Sequence, residues 1–318
     1  MTNPVLLSLG SINADFQVRV GGSPALGETL IASDFVRLGG GKAANVAVLA
    51  QRVGVPARLL GQVGDDALGE QALGPLREAG VDLAYVSTAC GCATAVSMVA
   101  VLPDGRKSII LANNANDVWD EEGIRRVVGA IDGAPECSVL VVDYEVPPAV
   151  ARRAIEVAAR RGLLIVIDPS LAGRADREML THATAVTPNP VEAEGLTGIK
   201  VDGIEAAARA AGRLVAFGIP SACVKLADGG CLVLHRGETS VVTPVPVPVV
   251  DTTGAGDAFA GALAVALMER RPFVDAACFA TAASHLAVTA YGSQPAYPSR
   301  REIEDLQPSL LANIQRLT

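Results

Sequence analysis

The sequence lacks long apolar runs, basic runs and paired cysteines. No apolar stretch reaches the length that crosses a bilayer, which argues against a membrane partner. No Lys/Arg run occurs, and 26 basic against 34 acidic residues leave a net charge of −8, which argues against nucleic acid. The six cysteines (Cys90, Cys92, Cys137, Cys223, Cys231, Cys278) contain no Cys-x-x-Cys, and His182, His235 and His285 stand apart from them. Cys90-Gly91-Cys92 has no second pair to complete a metal site, so reduced thiols in a reducing compartment are expected. The start, Met1-Thr2-Asn3-Pro4 and an apolar run that breaks at Gly10, is too short and too little basic for a secretory signal. The expectation is a soluble, cytoplasmic protein. No Gly-x-Gly-x-x-Gly follows the first apolar run, which argues against a dinucleotide oxidoreductase. No linker, repeat or low-complexity tract divides the 318 residues, enough for one large domain.

Two glycine-rich stretches each open a helix. Asp251-Thr252-Thr253-Gly254-Ala255-Gly256-Asp257 follows Val245–Val250, which reads as an extended edge segment. It precedes Ala258–Leu267, an apolar run that reads as a buried helix. Small residues there let backbone N–H groups approach a ligand, and a helix N-terminus favours anions. Asp257 fits either a helix-capping acid or a base beside a bound phosphate. Leu38-Gly39-Gly40-Gly41-Lys42-Ala43-Ala44-Asn45 opens the second apolar helix, with polar Asn45 one turn in. Alone it fits a close helix–strand crossing. With the first stretch, it fits a site where one turn holds a hydroxylated substrate and the other a phosphate.

Between these stretches, strand-like and helix-like segments alternate. Val5–Leu9, Ala57–Val63, Val139–Val142, Leu163–Ile167, Ala185–Thr187 and Ala222–Leu226 read as strands, and Ala67–Ala79, Pro148–Arg161 and Glu205–Phe217 as helices. Continuous apolar strands between amphipathic helices predict a doubly wound α/β fold, a mainly parallel sheet covered on both faces. Ligands then bind outside the carboxyl ends of the strands. Asp15, Asp65, Asp66, Glu145, Asp168 and Asn189 fall there, and each alone is also a common turn residue. Two patches alternate instead: Phe16–Val20 with Glu28–Leu38, and Thr94–Leu102 with Arg106–Leu111 around the turn Pro103-Asp104-Gly105.

The pair Gly39-Gly40-Gly41-Lys42-Ala43-Ala44-Asn45 and Asp251–Asp257 resembles the two signatures of the ribokinase-like, PfkB-type carbohydrate kinases. Gly10–Asp15, Gly64-Asp65-Asp66, Thr187–Glu194 and Gly292–Pro295 match further motifs in order, so the resemblance covers nearly the whole chain. It implies one kinase domain over 1–318, with a small β-sheet lid formed by about 15–38 and 92–113. It implies that Asp257 is the base and that the N–H groups of Gly254, Ala255 and Gly256 form an anion hole. Asn13, Asp15, Gly41, Asn45 and Glu145 would hold sugar hydroxyls together with Asp257. Asn189 and Glu192 would act on Mg²⁺ and phosphate through water, although the same pair also reads as a capping box. Lys225, Ala227, Gly230, Gly256 and Thr281 would contact ATP, with Ala227 standing where relatives carry glycine. Ala43 likewise replaces a glycine. A K⁺ site would use Asp251 and carbonyls of Thr253, Ala287, Ala290 and Gly292, short of one ligand because Ala296 replaces a serine. Lys42 is assigned to the turn, with no catalytic part.

The resulting expectation is an ATP-dependent kinase acting on a primary hydroxyl of a small sugar, with D-ribose at O5 first and a homodimer as its form. Fructokinase, 2-keto-3-deoxygluconate kinase and nucleoside kinase stay open within the class. A non-catalytic sugar or nucleotide sensor is the rival outside it, and the intact Asp257 and glycines argue against that rival.

Overall fold

The structure is a computed structural model that describes residues 3–23 and 25–317, so the Met1-Thr2 start lies outside the described residues. In chain order the first half runs β1 (Leu6–Leu9), β2 (Asn13–Arg19), β3 (Val36–Gly40), α1 (Lys42–Arg52), β4 (Ala57–Gly64), α2 (Ala67–Glu78), β5 (Val86–Ala89), β6 (Ala95–Val101), β7 (Lys107–Ala112), α3 (Glu121–Asp132), β8 (Val139–Asp143) and α4 (Pro148–Arg160). The second half runs β9 (Leu164–Asp168), α5 (Arg177–Leu180), β10 (Ala185–Val186), α6 (Pro190–Thr197), α7 (Ile204–Ala216), β11 (Ser221–Lys225), β12 (Cys231–His235), β13 (Glu238–Val242), α8 (Ala255–Met268), α9 (Phe273–Ala287), α10 (Arg300–Ala312) and β14 (Ile314–Leu317).

Ten strands form the main sheet in the order β14-β13-β12-β11-β10-β9-β8-β1-β4-β5. From β5 to β11 every pairing is parallel; β12, β13 and β14 add an antiparallel end. Alternation along the buried strands feeds two cores. Leu6, Val139, Val141 and Val166 pack on one face with α1, α8 and α9. Leu7, Leu9, Leu140, Val142, Ile165 and Ile167 pack on the other with α3, α4 and α7. The order reverses between β1 and β8, which opens a crevice at their carboxyl ends. Gly10 is required there: its φ is 153°, and a Cβ on it would sit 1.7 Å from Asp143 Oδ2.

A second sheet of four strands, β3-β2-β6-β7, stands over that crevice's end of the fold. Asp15 pairs with Ser97 and Phe16 with Met98, so register puts Asp15 and Ser97 on one face, among Val99, Ile109 and Leu111, and Phe16, Met98 and Ile110 on the other. Among the described residues no helix is long and apolar enough to cross a membrane.

Two expectations fail locally. Val245–Val250 pairs in no strand, because Pro244, Pro246 and Pro248 lack the N–H that a ladder needs. Instead Val250 and Asp251 donate to the Val288 carbonyl. Of Glu28–Leu38 only the end from Val36 joins a sheet, so its alternation is that of an irregular surface segment.

Candidate active site

A cleft of about 600 Å³ lies between the strand ends of the main sheet and the face of the small sheet that carries Asp15. Its floor is the start of α8. Gly254 caps that helix with φ 77°, and a Cβ on it would fall 2.6 Å from both Ser293 Cβ and Tyr297 Oη. The Tyr297 hydroxyl donates to the Gly254 carbonyl at 3.1 Å, fixing the turn from behind. Gly254, Ala255 and Gly256 line the cleft, so first-turn N–H groups that lack an intrahelical acceptor sit at its wall.

Asp257 follows in the same turn and is buried. Its Oδ2 accepts from Asn45 Nδ2 at 2.8 Å, and Lys42 Nζ lies 3.4 Å from Oδ1. A carboxylate only accepts, so the nitrogen of Asn45 must face it and the Asn45 oxygen must face away. That oxygen takes a hydrogen bond from Gln294 Nε2 at 3.1 Å. The polarity of the whole amide chain is therefore dictated from Asp257 outward. Lys42 also lies 3.3 Å from Asp168 Oδ1, and Lys225 lies 2.8 Å from Asp168 Oδ2. Burial works against the Asp168 charge, but Lys225 and Lys42 outweigh it and hold its carboxyl below the usual range. Burial likewise opposes the Lys42 charge, and Asp168 and Asp257 raise its pKa well above the ordinary value.

The opposite wall comes from β2, β6 and β7. Asp15 is buried at its centre, and its pKa is raised to about 7 by burial first, then by Glu145 and Asp257, with a hydrogen bond from Ser97 opposing. Its Oδ1 has no partner. Glu145 accepts from the Ser11 hydroxyl at 2.7 Å, and burial raises its pKa despite Lys42. The Asn13 amide is already engaged, donating to Ser97 at 3.0 Å and accepting from Asn116 at 2.8 Å. Lys107 enters from β7, and burial lowers its pKa to about 8. The cleft thus joins unsatisfied acceptors suited to hydroxyl groups with a helix N-terminus suited to an anion.

The chain matches the pfkB family carbohydrate kinase description over residues 4–300. It is 32% identical over 297 residues to the ribokinase of Haemophilus influenzae, covering 93% of this chain and 96% of that protein. It is 31% identical over 300 residues to the ribokinase of Bacillus subtilis, covering 94% and 97%. The solved structure of Arabidopsis thaliana ribokinase complexed with ribose and ATP superposes with a TM-score of 0.80 at 29% identity, covering 96% of this chain and 99% of that one. The chain belongs to the pfkB family of carbohydrate kinases.

As a carbohydrate kinase it is a phosphotransferase that acts on a sugar hydroxyl. The cleft brings together Asn13, Asp15, Gly41, Asn45, Glu145, Asn189, Glu192, Lys225, Ala227, Gly230, Thr253, Gly254, Ala255, Gly256 and Asp257. Asn189 and Glu192 form a complete capping box at α6, with Asn189 Oδ1 2.9 Å from the Glu192 N–H and Glu192 Oε2 2.7 Å from the Asn189 N–H. Both still line the cleft, so the structural reading and the ligand reading hold at once. Burial and Asp168 raise the Glu192 pKa against Lys225 and Lys42.

Two expectations need correction. Thr281 does not line the cleft: it is sealed inside α9, its hydroxyl bonded back to the Ala277 carbonyl at 2.8 Å. Ser284 and His285, about one turn later, and Val288, about two turns later, reach the cleft instead. Asp251, the carboxylate of the K⁺ expectation, is buried and accepts four hydrogen bonds. Its Oδ1 accepts the Thr253 N–H (2.8 Å) and hydroxyl (2.6 Å), and its Oδ2 accepts Gln17 Nε2 (2.6 Å) and the Gly292 N–H (2.9 Å). The carbonyl oxygens of Thr253, Ala287, Ala290 and Gly292, the other ligands of that expectation, accept no turn or loop backbone bond among the described residues. Ala287, Ala290 and Gly292 lie outside the cleft lining, where the expected ion would touch no substrate. Finally, Lys42 is no mere turn residue, since its ammonium joins Asp168 to Asp257.

Sequence reasoning missed Gln17 and Gln294, and gave Lys107 no place in the site. Lys107 had a usable signal, an inward position in an alternating strand. Gln17 shared that signal in the alternating Phe16–Val20 patch, and Gln294 sits inside the Gly292–Pro295 motif.

Proposed function

We propose that this carbohydrate kinase transfers the γ-phosphate of ATP to a primary hydroxyl of a small sugar, with D-ribose at O5 as its first substrate. The observation that carries the reading is Asp257, at the mouth of a helix N-terminus and held by Asn45, facing the same cleft as Asp15 and Glu145. Asp257 takes the proton of the sugar hydroxyl as the oxygen attacks phosphorus. The N–H groups of Gly254, Ala255 and Gly256 stabilise charge on the transferring phosphoryl group without reorganising. Asp15 and Glu145 orient the sugar by accepting from its other hydroxyl groups. Lys225 and the Leu226–Gly230 turn receive the nucleotide beside His285. Oxygen donors suit Mg²⁺, and Glu192 and Asn189, both tied up in their capping box, would hold it through water. That ion would neutralise phosphate charge.

The small sheet serves as a lid on a single domain, and it supports a homodimer. Its outer face exposes Met98 at 55%, Ile110 at 69% and Phe35 at 58%, an apolar surface suited to a second copy of itself. The six free thiols agree with a cytoplasmic setting. A coupled ADP-release assay over ribose, fructose, 2-keto-3-deoxygluconate and adenosine tests the reading. Turnover on ribose well above the other three is expected. Preference for another sugar replaces the substrate, and no turnover on any overturns the kinase reading.

A further inference from the structure

Asn13, on the cleft wall, has its amide committed at both ends. Its Oδ1 accepts from Asn116 Nδ2 at 2.8 Å across 103 residues of sequence, and its Nδ2 donates to Ser97 Oγ at 3.0 Å. Asn116 is sealed from solvent in the short turn Asn114–Asp117 that follows β7. Its own Oδ1 accepts the Ile12 N–H at 3.1 Å. A backbone N–H can only donate, and that fixes every group downstream. The Asn116 oxygen must face Ile12, so its nitrogen faces Asn13. The Asn13 oxygen then faces Asn116, so its nitrogen faces Ser97. Ser97 accepts there and keeps one proton to give.

Ser97 stands beside Asp15 in the β2–β6 register, and its hydroxyl bonds the Asp15 carboxyl. Asp15 Oδ1 is buried with no partner, and Asp15 lines the cleft. Buried polar atoms are normally satisfied, so an open acceptor on a cleft wall marks a place for a donor of the ligand. The charged groups around this carboxyl are Glu145 after β8, Asp257 on α8 and Lys107 on β7. The two acids oppose its ionisation, while the Ser97 hydroxyl and, less strongly, Lys107 favour it.

We propose that Asn116 and Ser97 are positioning residues for the sugar: they form a one-way chain of donors from the Ile12 N–H to Asp15, which gives that carboxylate a compulsory donor and leaves Oδ1 to accept a hydroxyl of the substrate. The inference rests on the reading of Asp15 as a sugar acceptor. Asn116 lies outside the cleft lining, so it acts on the sugar only through Asn13 and Ser97.

The test follows ribose binding by calorimetry, and KM and kcat by turnover, from about pH 6 to 9. Wild-type affinity should rise as pH climbs through about 7, where Asp15 ionises. Ser97→Ala removes the last donor, so that midpoint should move up by roughly one unit, which makes KM near pH 7 roughly fivefold higher. Its kcat should stay within about twofold, since Asp257 keeps its Asn45 contact. Ser97→Thr retains the hydroxyl and should retain the wild-type profile. Asn116→Ala releases the Asn13 amide, whose oxygen can then compete for the Ser97 proton. It should give part of the same shift alone and add nothing in a Ser97→Ala background. A Ser97→Ala profile that lies on the wild-type one overturns the proposal, and additive shifts in the double variant overturn the part given to Asn116. If Asn116→Ala does not fold, the two Ser97 variants decide the matter. Melting of the sugar-free proteins supplies a second readout. The folded protein holds the Asp15 proton up to about pH 7 in wild type and, with the raised pKa, roughly one unit further in Ser97→Ala. The variant therefore goes on losing stability after wild type has levelled, and the gap between their midpoints should widen from about pH 7 to 8. A gap that is flat across the range overturns the chain of donors. A chain that binds no ribose, yet shows the widening gap, would lose the sugar reading and keep the relay.

Discussion

Replacing Asp15 by Asn should stabilise the sugar-free protein and weaken its hold on sugar, with the stabilisation appearing only as pH rises. Asp15 is 4% exposed, with a pKa raised from 3.8 to about 7, chiefly by burial. The sign follows from proton binding. Between those two values the folded protein holds a proton that the unfolded chain has lost. Wild type therefore loses stability as pH climbs through that window, and the loss is complete above about 7. A shift of about three units corresponds to at most about 4 kcal/mol at roughly 1.4 kcal/mol per unit. Rearrangement of Glu145 and Ser97 around the charge should reduce this to roughly 2 kcal/mol, within the usual range for one substitution. Unfolding entropy of about 2.1 cal/mol/K per residue over 318 residues makes that roughly 3 °C in melting midpoint. Asn is isosteric and cannot ionise, so the gap between Asp15→Asn and wild type should be small near pH 4.5 and reach its full size by pH 8. Other buried carboxylates titrate in both proteins and largely cancel in the difference. The assay is paired melts across that pH range with and without ribose, and ribose should stabilise the variant less. A gap that does not grow with pH would refute the assignment of a buried, elevated carboxyl at this position.

Two further outcomes test the floor of the cleft. Asp257→Asn keeps the shape and the Asn45 contact but cannot take a proton, so kcat should fall roughly a hundredfold to ten-thousandfold, while ribose affinity by calorimetry stays within a few-fold of wild type; near-normal turnover would remove Asp257 from the chemistry. Gln294→Met should lower kcat by loosening Asn45, yet add nothing in an Asn45→Ala background, since a residue that works through another shows no effect once that partner is gone; additive losses would mean that Gln294 serves packing alone.

What was legible in the sequence follows from how local each signal is. The strands β8 and β9 are apolar up to their closing Asp143 and Asp168 because helices cover both sheet faces, so their reading needed only their own residues. The two glycine turns were legible because close approach of backbone leaves few residue choices, as the 1.7 Å and 2.6 Å clashes at Gly10 and Gly254 show. The hairpin β12–β13 went unread: its Arg236-Gly237 turn carries neither the Asn-Gly nor the Asp-Gly pattern that marks such turns, although both residues take positive φ. Alternation misled at Val245–Val250, where every second residue is proline and period 2 records the composition rather than a ladder. Thr281 was misplaced because α9 is small and apolar nearly all round, so its sequence does not reveal which side meets the cleft. The amide contacts lay beyond reach. Gln17 and Gln294 meet their partners across 234 and 249 residues, and the patch and the motif that hold them name no partner.

Those amides explain how one small space can hold so many acids. Asp15, Asp143, Glu145, Asp168, Glu192, Asp228 and Asp257 share the cleft region with Lys42, Lys107 and Lys225. Two of the three lysines are spent on Asp168. Pairing every carboxylate with a lysine would fill the cleft with ammonium groups and compete with the sugar for the acceptors it must use. A neutral amide holds a carboxylate in place while leaving its charge intact. Asn45 does this for Asp257 at 2.8 Å, with Lys42 standing further off at 3.4 Å. Gln17 does it for Asp251 in the strap that feeds the same turn. In both cases a carbonyl is left buried and unpartnered at the far end, on Gln17 and on Gln294. The cost therefore falls outside the reacting groups. Asp257 itself lines the cleft that a sugar hydroxyl would enter.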